Sequence, residues 1–166
     1  MKKINVLLAL FVLMSLVGCG VQRSQAYYDY KSKIIGTELD GSYTIRAFGR
    51  ARNAVDAYQQ ARKQAVYDVV FNGVQSDNSM ISPLKPLLLE PNAKEQYADY
   101  FNKFFADNGT FEKYCSMKER RWFSSNYSRT DAQSMAQVTV CVDVAKLRER
   151  LKSDGIIDNK SLNLVK

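Results

Sequence analysis

The sequence predicts an α+β domain, with an antiparallel sheet, two main helices packed on it and a short C-terminal helix. Three observations carry that expectation. Strand-like alternation occurs at two well-separated places, residues 34–48 and 137–144. Between them lie two stretches of helical spacing, each preceded by a capping residue and closed by glycine. Strands therefore come in runs with the helices set apart, rather than in the strict β–α–β alternation of a parallel sheet. The chain has 166 residues, a length that suits one domain with a real core, and neither a repeat nor a low-complexity tract is evident.

The elements follow in chain order. Asp40-Gly41 supplies the positive φ values of a type I′ turn, so Ile34–Leu39 and Ser42–Phe48 read as a hairpin. Tyr43, Ile45 and Ala47 share one face of its second strand, and Thr44, Arg46 and Phe48 share the other. Asn53 is an N-cap with Asp56 in the first turn, opening a helix to about Asn72 with Gly73 as its stop. Ala57, Ala61, Ala65 and Val69 recur every fourth residue, a row small enough to let a helix approach a sheet closely. Pro83, Pro86 and Pro91 fall among Leu84, Leu87, Leu88 and Leu89, which suits an apolar loop wrapping the core or a sticky surface. Asn92 with Glu95 has the form of a capping box, opening a second helix that carries Tyr97, Tyr100, Phe101, Phe104 and Phe105 and stops at Asn108-Gly109. That aromatic face reads as core, with a partner or glycan platform as the alternative.

The last third returns to strands. Thr110–Lys118 and Arg120–Tyr127 are candidates, a polar turn spans Ser128–Ser134, and Gln137–Val144 is the clearest strand in the chain. Ala136, Val138, Val140, Val142 and Val144 line its apolar face. Asp143 or Val144 then leads into a short helix through Leu147 and Leu151, ending at Gly155, and the tail beyond residue 157 reads as loose.

The N-terminus decides the address. Lys2 and Lys3 precede an apolar run from Ile4 to Val17 broken only by Asn5 and Ser15. Such a run spans roughly 21 Å as a helix, short of a bilayer core of about 30 Å, so it reads as an export signal rather than a membrane span. Behind it, Leu16-Val17-Gly18-Cys19 resembles the lipobox of bacterial lipoproteins. The resemblance implies acylation of Cys19, cleavage after Gly18 and a lipid anchor, with Gly20 directing the protein to the outer membrane; which membrane face carries the domain stays open. It divides the chain into a signal peptide (1–18), a lipidated tether (19–30), one domain (31–157) and a tail (158–166). Loss of Lys2 and Lys3 leaves 22 cations against 17 anions, so the net charge falls from +7 to +5.

A second resemblance rests on Tyr43-Thr-Ile-Arg-Ala-Phe-Gly-Arg-Ala followed by the alanine-row helix, and on Val138–Val144 followed by Leu147–Leu151. These are similar to the small bacterial lipoprotein domain shared with flagellar assembly protein FlgT, over roughly residues 30–155. That family implies envelope scaffolding or assembly and supplies no catalytic residues. The proline-leucine loop and the aromatic helix depart from its pattern.

Chemistry is sparse. The absence of His removes Ser-His-Asp and Cys-His nucleophile systems and His-containing zinc sites. No phosphate-binding, dinucleotide or hydrolase motif is present, and the cysteines are too far apart for a metal knuckle, so neither a metal nor a cofactor beyond the lipid on Cys19 is expected. Cys115 and Cys141 form the one candidate disulfide of the mature chain. It requires Cys115 on a strand of its own or a bend near residues 116–119, because in a hairpin turning near Asp131 the two cysteines would lie about 20 Å apart. Arg120 and Arg121 beside Trp122 form a candidate binding surface. An exported protein meets no nucleic acid, so the basic clusters point to anionic lipid headgroups or an acidic protein. The expected function is a lipid-anchored, non-catalytic interaction or assembly module with an envelope protein partner and an oligomeric state left open. The alternatives are a glycan- or small-molecule-binding lipoprotein using its aromatic surface and, behind it, a hydrolase with unrecognised carboxylates.

Overall fold

The computed structural model describes residues 30–118, 128–130 and 133–157, and Cys19, Arg120, Arg121 and Trp122 lie outside them. The class is α+β, as the sequence predicts. Strands β1 (Lys33–Thr37), β2 (Tyr43–Ala51), β3 (Gln75–Ser76), β4 (Cys115–Met117), β5 (Ser128–Thr130) and β6 (Gln133–Val142) form one sheet. Its order is β3-β1-β2-β6-β4, with β5 also on β6, and every pairing is antiparallel except β1 with β3.

The first hairpin forms with a different turn from the one expected. Among the described residues Asp40 has no positive φ, whereas Gly41 sits at 82°. Gly41 donates its N–H to the Glu38 carbonyl, and Glu38 donates to Ser42, making a three-residue loop with a glycine bulge in place of a type I′ turn. The Asp40 carboxylate is thereby free to accept from the N–H and hydroxyl of Ser42. Leu39, expected in the strand, is instead fully exposed at the loop tip.

Helix α1 (Ala54–Tyr67) starts where the sequence places it, with the Asn53 side chain accepting from the N–H of Asp56. Ala57, Ala61, Ala65 and Val69 are all fully buried. The close approach they permit continues into β2. A Cβ on Gly49 would stand 2.0 Å from the Ala57 carbonyl oxygen and 2.4 Å from the Ala61 nitrogen, so only glycine fits there. The helix does not simply run on to Asn72, because residues Asp68–Asn72 widen into a π-turn closed by Gly73 at φ 74°. The stop at Gly73 leaves the Val69 and Val70 carbonyls without a helical partner, and the proline-rich loop supplies one to each. Leu87 donates to Val69 and Leu88 to Val70, while Val74 and Leu84 exchange a pair of backbone bonds. Leu87 and Leu88 are buried, so the loop wraps the core.

The aromatic segment breaks into α2 (Ala93–Gln96) and α3 (Ala98–Phe104) at Tyr97. The expected capping box does not form. Asn92 adopts the left-handed conformation at φ 70° and its side chain caps nothing, and the Ala93 N–H goes to the Glu90 carbonyl instead. Phe101 and Phe104 are buried in a cluster with Tyr67 and Phe71 at the end of α1, so the aromatic face is core. Residues Thr110–Tyr114, expected as strand, form a 3-10 turn that buries Phe111, and only Cys115–Met117 joins the sheet. In β6, Ala136, Val138, Val140 and Val142 face inward, paired with β2 along its full length from Tyr43 to Ala51. Part of the expected polar turn is itself strand, since Ser128, Arg129 and Thr130 pair with Met135, Ser134 and Gln133. Asp143 then caps α4 (Val144–Ser153), which buries Val144, Leu147 and Leu151. Arg150 and the Tyr100 hydroxyl both reach the Asp154 carboxylate, tying α4 to α3.

Candidate functional site

Helix α1 covers the sheet face that carries Ile45, Ala47, Ala136, Val138, Val140 and Val142. The opposite face presents Thr44, Arg46 and Phe48 from β2 and Met135, Gln137, Thr139 and Cys141 from β6, all but Thr44 half-buried. Its cations are largely engaged. Lys33 and Arg46 both pair with Asp77, which follows β3, and Lys118 pairs with Glu38. The Lys118 and Thr44 hydrogen bonds hold the Glu38 carboxyl below its ordinary range, and the same contact raises the Lys118 ammonium. The result is a mixed polar surface of nearly balanced charge.

The two cysteines meet this sheet from opposite sides. In the β4–β6 ladder Cys115 stands opposite Val142 and Ser116 opposite Cys141. Residues offset by one along paired strands point to opposite faces, so adjacent strands do not bring the thiols together. Both are free. Burial pushes the Cys115 thiol up to about 11, opposed by the Arg62 guanidinium beside it. Cys141 instead lies 3.1 Å from the Ser42 hydroxyl on the open face.

A cleft of about 600 Å³ opens where β1 stops and β2 continues beyond it. One wall is Phe48, against which Tyr30 packs edge-on at 5.6 Å, with the Arg50 guanidinium over the Tyr30 ring at 5.9 Å. The floor is the π-turn, a helix irregularity that often accompanies functional sites. Asp68 lies there at 7% exposure. Its Oδ2 accepts from the Ser32 hydroxyl at 2.5 Å, and its Oδ1 accepts from Gln64 Nε2 at 2.9 Å and Asn72 Nδ2 at 2.7 Å. A carboxylate only accepts, so these bonds fix both amides with their oxygens turned away from Asp68. Neither Asp68 nor its partners stood out in the sequence. The available signal was a carboxylate between Ala65 and Val69 in an otherwise apolar stripe, with amides four residues before and after it.

Among the described residues no group of His, Cys, Asp and Glu is placed to hold a metal ion. None of the described helices is long and apolar enough to cross a membrane. No family model, curated protein or solved structure matches the chain.

Proposed function

We propose that the chain is a lipid-anchored, non-catalytic cell-envelope protein that acts as an interaction or assembly module. The observation that carries this reading is Leu16-Val17-Gly18-Cys19 placed directly behind two lysines and a short apolar run. In it, Cys19 holds the domain at the outer membrane, since several acyl chains anchor firmly where one gives only marginal binding. The tether ahead of Tyr30 gives reach, and the sheet face opposite α1 meets a protein partner. The half-buried mixture of threonine, glutamine, methionine and paired charges on that face suits a non-obligate interface better than a second hydrophobic layer.

Fractionation and mass spectrometry test the anchor. The native chain should sediment with membranes carrying an acylated N-terminal Cys19, and Cys19→Ala should move to the soluble fraction. A Cys19→Ala protein still in the membrane, or a mature chain beginning elsewhere, would overturn the assignment. Photo-crosslinkers at Gln137 and Thr139 should capture one discrete envelope protein, while a crosslinker at the exposed loop tip Leu39 should not.

A further inference from the structure

The geometry points to the cleft above the π-turn as a binding site for an acidic saccharide. Four features of one concavity carry the inference. The first is the floor. Asp68 takes one N–H of Gln64, one of Asn72 and the hydroxyl proton of Ser32, so each amide keeps its carbonyl oxygen and one N–H for a ligand. Both residues are exposed at the cleft while Asp68 is buried beneath them. A ligand seated there meets paired acceptors and donors, which hydroxyl groups match because each both donates and accepts.

The second feature is the wall. Tyr30 at 41% exposure and half-buried Phe48 form an edge-to-face pair lining the cleft. An aromatic face accepts the apolar C–H side of a sugar ring, whose hydroxyls then point sideways to the amides. Third, Arg50 is exposed at the rim, held over the Tyr30 ring and with no carboxylate partner within ion-pair distance among the described residues. Its guanidinium presents donors in a planar fork, the geometry that matches a carboxylate or phosphate oxygen pair. Fourth, the cleft is large enough for a monosaccharide or disaccharide, and its floor is held in place by the π-turn, the Gly73 stop and the loop bonds to Val69 and Val70. Amide groups below, a ring wall beside and a cation at the rim together select a hydroxylated ring that bears an anionic substituent.

The experiment uses the full-length chain purified in a zwitterionic detergent on a microarray of neutral and acidic saccharides, followed by calorimetric titration of the strongest soluble ligand. Acidic saccharides should be retained over their neutral counterparts. Arg50→Ala should abolish that preference, and Phe48→Ala and Gln64→Ala should each weaken binding by about tenfold or more. Circular dichroism and thermal melting check that the three variants fold. Retention of no saccharide, or retention indifferent to Arg50→Ala and Phe48→Ala in folded protein, would overturn the proposal. The outcome is independent of the lipid anchor, because an unacylated chain keeps the same cleft.

Discussion

Gly49→Ala should be among the most damaging single-methyl changes available to this domain. The added Cβ would lie 2.0 Å from the Ala57 carbonyl oxygen, 2.4 Å from the Ala61 nitrogen and 3.0 Å from the Ala61 Cα. All three are backbone atoms, so no side chain can swing aside. Relief requires α1 to lift from β2 by about 1 Å, and a gap of that size forfeits a quarter to a half of the dispersion energy across it. Ala57, Ala61 and Ala65, which are fully buried, would all lose their fit at once. The cost should reach the upper end of the overpacking range, about 3 kcal/mol, and lower the melting temperature by roughly 10 °C. Gly155→Ala is the matched control. Gly155 has φ 70° but nothing within 4 Å of its would-be Cβ, so the change should cost only the left-handed strain of about 1–2 kcal/mol. Urea unfolding followed by circular dichroism measures both. A Gly49→Ala protein within 1 kcal/mol of wild type, or more stable than Gly155→Ala, would refute the packing argument.

Asp68→Ala should destabilise by about 3 kcal/mol, because the donors of Ser32, Gln64 and Asn72 lose a charged acceptor together; urea midpoints should show Asp68→Asn as the milder change. In a Cys19→Ala background at pH 8, a disulfide reagent should label Cys141 rapidly and Cys115 only upon unfolding, since Cys115 is buried with its thiol held up to about 11. A pKa raised on folding stabilises below the unfolded value and is lost as pH rises to the folded one, so the Cys115 contribution should disappear between about pH 9 and 11, visible as a steeper fall in melting temperature than in Cys115→Ala. Asn53→Ala should cost about 1 kcal/mol by removing the side-chain acceptor of the Asp56 N–H, measured by the same unfolding assay. The Asp143 carboxyl is lowered by its hydrogen bond with Lys146, so its support of α4 is present above the ordinary carboxylate value and should be lost as pH falls below that value through the lowered one, a dependence that Asp143→Asn removes.

What the sequence reveals is what local chemistry determines. The start of α1 at Asn53, its alanine row and its stop at Gly73 all depend on residues within a few turns of one another, and so does the alternation of β6. The departures are places where a distant segment decides. The π-turn at Asp68 is braced by Leu87 and Leu88, which bond Val69 and Val70, and by Ser32 at the carboxylate, all distant in sequence. Asn92 satisfies the spacing of a capping box, yet its left-handed backbone puts the side chain out of reach. The cleft follows the same rule. Tyr30 and Phe48 were visible as aromatics, but their meeting with Gln64, Asp68 and Asn72 exists only once β1 stops short of the end of β2. Cys115 and Cys141 show the converse, because the separate strand that a bridge required does form and the face alternation still keeps the thiols apart.

The position of β6 has a further consequence, for timing. This inner strand pairs with β2, the middle strand of the sheet, along its full length, yet it begins only at Gln133. The sheet therefore cannot close around its centre until most of the chain is available, and long-range strand pairing is slow in any case. During synthesis, β2 and the alanine row of α1 wait with one side unsatisfied. For a chain proposed to cross a membrane before it folds, that delay is protective: the leading segments stay threadable until the strand that locks them has followed through.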